Sequence, residues 1–71
     1  MLKATFDYVG RNNVVSRRVV LFDGKLHRSK EGTDYFKGET LSVDGQPPKH
    51  QFSTYDQSRV VDASMTLERV D

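Results

Sequence analysis

The apolar residues of this chain fall in short runs of period two, each closed by glycine, asparagine or proline. Leu2, Ala4, Phe6 and Tyr8 alternate with Lys3, Thr5, Asp7 and Val9. Near the other end Val61, Ala63, Met65 and Leu67 alternate with Asp62, Ser64, Thr66 and Glu68. Successive side chains of an extended backbone point to opposite faces, so such runs set one face in a core and the other in water. No segment sustains a 3.6-residue period, so the fold has to be assembled from strands.

The intervening segments agree. Gly10-Arg11-Asn12-Asn13 supplies residues that tolerate positive φ and predicts a hairpin turn. Val14 to Phe22 is rich in β-branched residues and reads as a strand. Asp23-Gly24 is a two-residue turn signal, after which Lys25 to Arg28 is expected to return antiparallel to Val19 to Phe22. Thr33 to Val43 is extended in character, with Gly38 placed for a bulge or sharp bend. Asp44-Gly45-Gln46-Pro47-Pro48 breaks the chain, and Lys49 to Tyr55 reads as a further strand. Between Tyr55 and Val60 there is room for one 3₁₀ turn at residues 56–58, with Asp56 placed to cap it. Five to six short antiparallel strands, with turn signals roughly every 8 to 12 residues, predict an all-β domain: a small SH3-like or Sm-like barrel.

Size limits what that barrel can be. A chain of 71 residues makes one domain, 1–71, and domains this short bury only about 60% of the surface their unfolded chains expose. There is no cysteine, so neither disulfides nor thiolate zinc can compensate for a small core. No apolar run approaches the roughly 20 residues of a membrane span. Met1-Leu2-Lys3 leads straight into a strand, not a signal peptide, so a cytoplasmic protein from a complete small reading frame is expected.

Enzymatic chemistry finds no foothold. His27 and His50 lie in different segments without metal-ligand spacing, no serine sits in G-x-S-x-G, and the five glycines fall singly. The acidic residues follow turns or polar strand faces, so a paired general acid and base has no basis. The expectation is a non-enzymatic protein without cofactor or metal.

Net charge is only +1, yet it is unevenly spread. Residues 11–30 hold six basic side chains against one acid, while residues 31–71 hold four basic and eight acidic ones. Arg17 and Arg18 are adjacent on a strand and point to opposite faces, so one of them is available to a surface shared with Lys25, Arg28 and Lys30. Alternation does not choose between them, since both faces of that strand carry valines. Tyr35 and Phe36 are also consecutive, so a regular sheet buries one and exposes the other. Cations for phosphates and an aromatic to stack a base describe a nucleic-acid or nucleotide site. The bland alternative is that these cations keep an edge strand from aggregating. Arg59 has a bland alternative too, anchoring the corner before the last strand through its stem and guanidinium.

Several short motifs occur in an order that resembles WYL domains. Phe6-x-Tyr8 is followed by Gly10, then by Ser16-x-Arg18-Val19-Val20 and Tyr35-Phe36-x-Gly38, then by Tyr55-x-x-x-Arg59-Val60 and Asp62-Ala63. The resemblance runs from about Phe6 to Ala63. It departs at the signature triplet, here Asp34-Tyr35-Phe36, and at Ser53, where the family commonly has arginine. It implies a barrel of Sm-like or SH3-like type that senses a nucleotide or nucleic-acid ligand in transcription regulation, and it selects Arg18 over Arg17. The resulting candidate site is Arg18, Lys25, Arg28, Lys30 and Arg59, with Tyr35 or Phe36 stacking. The competing expectation is a protein-interaction module, a small adaptor or a phage or mobile-element modulator of a host protein, or a homodimer, using the same exposed aromatic.

Overall fold

The computed structural model describes residues 1–70. Its strands are β1 (Leu2–Val9), β2 (Val15–Phe22), β3 (His27–Arg28), β4 (Asp34–Val43), β5 (Phe52–Asp56) and β6 (Val60–Arg69), with 3₁₀ turns at Arg11–Asn13 and Gln57–Arg59. All pairings are antiparallel. β2, β1 and β6 follow one another across the sheet, β4 lies on the other side of β2, and β5 lines the far side of β4. The sheet curls strongly into a half-barrel, as the alternating runs predict. Among the described residues no helix is long and apolar enough to cross a membrane.

The connections follow local chemistry. Asn12 and Asn13 take φ of 58° and 57°, the left-handed region their short polar side chains tolerate, so the first hairpin closes through a 3₁₀ turn, a second one beyond that expected at 56–58. Asp44 and Gly45 both have positive φ, and Val43 and Gln46 exchange backbone hydrogen bonds around them, giving a tight two-residue hairpin loop. At the ends of the described chain Val70 N–H donates to Met1 C=O at 3.0 Å.

The inward face carries Ala4, Phe6, Val20, Phe22, Phe36, Tyr55 and Val60, with Leu2, Tyr8 and Met65 packed against them. Phe6 meets Phe36 and Tyr55 edge to face at centroid distances of 5.6 and 5.5 Å, the geometry that sets a positive ring edge against a negative face. The polar side chain in this interior, Thr40, hydrogen-bonds the Tyr55 hydroxyl. Gly38 permits the curl. A Cβ there would lie 2.3 Å from the Leu21 carbonyl and 2.7 Å from Val20 Cγ1, so only glycine lets β4 fold this closely over β2.

Three expectations are corrected. The segment after Asp23-Gly24 forms strand only at His27–Arg28, and it pairs with β4 through Tyr35 and Asp34 instead of returning to β2. β5 begins at Phe52, not Lys49, because the two prolines hold the preceding segment out of the sheet. The alternation of β6 is interrupted. Asp7 pairs with Val61 and Thr5 with Thr66, so five steps on β6 span two on β1. This bulge reverses the phase: Val60 is buried and Met65 packs on the core, whereas Val61 lies opposite the outward Asp7. Ser64 holds the bulge, its hydroxyl donating to Val61 C=O and accepting from Asp7 N–H at 2.8 Å.

Candidate functional site

Arg18 is an inward residue in the middle of β2, on the same face as Val20 and Phe22. Its guanidinium sits 5.6 Å from the ring centroids of both Tyr8 and Tyr55. Nε donates to Ser16 Oγ at 2.9 Å and one terminal nitrogen donates to the Tyr55 hydroxyl at 3.3 Å. Two aromatic rings and two hydroxyls thus fix the plane of the cation. Among the described residues no carboxylate lies within salt-bridge distance of it. A half-buried guanidinium keeps its charge, has five donors, and here has spent only two of them within the chain.

Arg18 lines a cleft of about 410 Å³ together with Val43, Pro47, Pro48, Lys49, His50 and Ser53. The cleft exists because the turn at Asp44-Gly45 and the two prolines carry the chain away from the sheet before β5 begins. Lys49 and His50 are exposed on that segment. The site therefore combines an oriented planar cation, an exposed ammonium, an imidazole and a hydroxyl, with apolar walls from valine and proline. Such a set binds oxyanions, the guanidinium by paired hydrogen bonds and the ammonium as a point charge.

The other predicted residues lie elsewhere. Arg18 pairs at the Val43 end of β4 and Arg28 at its Asp34 end, so Arg28 stands at the far end of a ten-residue strand. It is also engaged with Asp34 at 3.1 Å. Lys25 and Lys30 are exposed in the loops flanking β3. Arg17 points outward and pairs with Asp7 at 3.1 Å. Arg59 donates to the carbonyls of Val9 and Gly10 at 3.2 and 3.4 Å, tying the 3₁₀ corner to the end of β1. Phe36 is 1% exposed, a core residue whose ring no base can reach. Tyr35 is half-buried, with one face stacked on His27 at 5.4 Å. The basic segment is thus dispersed over the barrel.

Lys49 and His50 were missed because the sequence marks them only as the exit from a proline break. The prolines were the available signal: two rigid residues between strands hold whatever follows them away from the sheet. Comparison of the chain with protein-family models, with curated proteins and with solved structures finds no significant match.

Proposed function

We propose that this domain is a non-enzymatic binding module that recognises the phosphate of a nucleotide or nucleic-acid ligand in the Arg18 cleft. The observation that carries the reading is the state of Arg18 itself, oriented by Tyr8, Tyr55 and Ser16 with no carboxylate beside it. Desolvating part of a cation without a counter-charge costs stability. A fold that keeps one there gains when an anion arrives to complete its hydrogen bonds. The resemblance to WYL domains supports the same reading, since Tyr8, Ser16, Arg18 and Tyr55 belong to the motifs that carry it and converge on one point. On this reading Lys49 and His50 take the outer phosphate oxygens, and the ring of Tyr35 contributes only to ligands long enough to reach β3.

Titration with a labelled single-stranded oligonucleotide and with a nucleoside monophosphate, at two salt concentrations, tests the proposal. Affinity is expected to fall steeply with salt, as phosphate neutralisation requires. Arg18→Gln should weaken it about tenfold or more, as loss of a charge-assisted pair does, while Arg28→Gln leaves it nearly unchanged. Absence of binding at low salt, or equal losses from the two substitutions, overturns it.

A further inference from the structure

The Arg18 cleft holds more positive charge than an internal phosphate of a nucleic-acid strand can neutralise. Arg18 and Lys49 each bring a full charge, His50 adds a ring nitrogen and Ser53 a hydroxyl, and no carboxylate is among the residues that line the space. The acids close by are occupied. Asp44, next to Val43, accepts from the Arg17 N–H at 2.8 Å, and Glu39, opposite Phe52 in the sheet, accepts from the Gln51 side chain at 3.3 Å. Among the described residues neither Arg18 nor Lys49 takes part in an ion pair.

Phosphate esters differ in charge and in the oxygens they offer. A diester carries a single negative charge and presents a pair of free oxygens, with a chain arm on either side. A monoester presents three free oxygens and, because its second ionisation lies at about pH 6, carries nearly two negative charges at neutrality. Two cations match the monoester and leave the diester one charge short. Arg18 feels the shortfall most, since it is half-buried and water cannot surround it. A terminal phosphate also enters with one substituent behind it, whereas an internal one brings two past walls stiffened by Pro47 and Pro48.

We propose that the cleft selects a terminal phosphomonoester, on a nucleoside monophosphate or at the end of a strand, over an internal phosphodiester, and that Lys49 sets the preference. This rests on the reading of the Arg18 cleft as a phosphate site. Arg18 holds the oxygens that both kinds of ester possess. Lys49, with His50 and Ser53 beside it, takes the additional oxygen and the second charge. Val43, Pro47 and Pro48 meet the sugar side of the ligand, so phosphate without its nucleoside loses those contacts.

Calorimetric titration of the full chain with a nucleoside monophosphate and with the cyclic monophosphate of the same nucleoside, at about pH 7.5 where the monoester is a dianion, tests the proposal. The monoester should bind about tenfold more tightly, as one further charge-assisted hydrogen bond allows. A terminally phosphorylated oligonucleotide should gain similarly over its hydroxyl-ended counterpart, and inorganic phosphate should compete more weakly than the nucleotide. Lys49→Gln should lower the preference about threefold, the size of one partly exposed ion pair, whereas Arg18→Gln should weaken both esters. Equal affinity within either pair of ligands, a preference indifferent to Lys49→Gln, or inorganic phosphate competing as well as the nucleotide overturns the proposal and leaves the phosphate reading standing. Absence of binding by every ligand removes both.

Discussion

The hydroxyls of Thr40 and Tyr55 are bonded to each other at the edge of the aromatic core, where the Tyr55 hydroxyl also accepts from Arg18. Thr40 is 3% exposed, so it has no access to water if that partner is lost. Tyr55→Phe is expected to cost about 1–3 kcal/mol, the penalty for a buried polar group left unpaired. Thr40→Val combined with Tyr55→Phe should recover the part due to the unpaired Thr40 hydroxyl, while the part due to the lost Arg18 bond persists. Urea unfolding of the two single variants and the double variant measures the cycle.

Ser64→Ala removes the one side chain that bridges the β6 bulge. Asp7 N–H loses its acceptor and Val61 C=O its donor. A loss of about 1 kcal/mol is expected in chemical denaturation, and hydrogen exchange at the Asp7 amide should accelerate beyond what the global change explains.

Gly38→Ala drives a methyl into the Leu21 carbonyl, with Val20 Cγ1 and Phe22 Cβ also inside contact distance. Backbone has to move to relieve it, and a loss of about 3 kcal/mol or more is expected. Gly32→Ala provides the contrast. Its Cβ would meet nothing within 4 Å, but its φ is +84°, so only the conformational penalty of about 1 kcal/mol is expected. Thermal midpoints of the two variants should separate accordingly.

Asp56 caps the 3₁₀ corner, accepting from the Ser58 hydroxyl at 2.7 Å and the Ser58 N–H at 3.0 Å. These bonds, with Arg59 nearby, hold its carboxyl below the ordinary value of 3.8 against a smaller opposing effect of desolvation. A folded-state value below the unfolded one means the stabilisation is complete above about pH 4 and is lost as pH falls through the folded value. Asp56→Asn should therefore be less stable than the parent near neutrality, with the gap closing below pH 4. Urea midpoints across the acid range read this directly, and a gap that widens toward acid contradicts it.

The strands were legible because each carries its own evidence. The alternation of β1, the β-branched run of β2 and the paired asparagines after Gly10 are local signals, and local signals survive into the fold. The 3₁₀ corner was legible because four residues between Tyr55 and Val60 leave few alternatives. The phase reversal of β6 was not, since Val61 to Leu67 alternates without flaw and the bulge arises from matching that strand to the curl of β1. The candidate site was half legible. Arg18 was picked over Arg17 by the resemblance alone, since nothing local distinguishes a cation clamped between two tyrosines from one that faces solvent. That Arg28 already has Asp34, and Arg17 has Asp7, depends on cross-strand register, which a linear pattern does not contain.

The bond from Val70 N–H to Met1 C=O brings the two extremities of the barrel within one residue's reach of each other. A short flexible bridge would shut the backbone into a ring without bending any strand, and new ends opened at Asn12-Asn13 would fall in an exposed loop tip, where such cuts are best tolerated. A permuted chain of this kind would exchange which strands are made first and last while leaving the folded contacts intact. It would show directly whether β1 must precede β6 for the barrel to form.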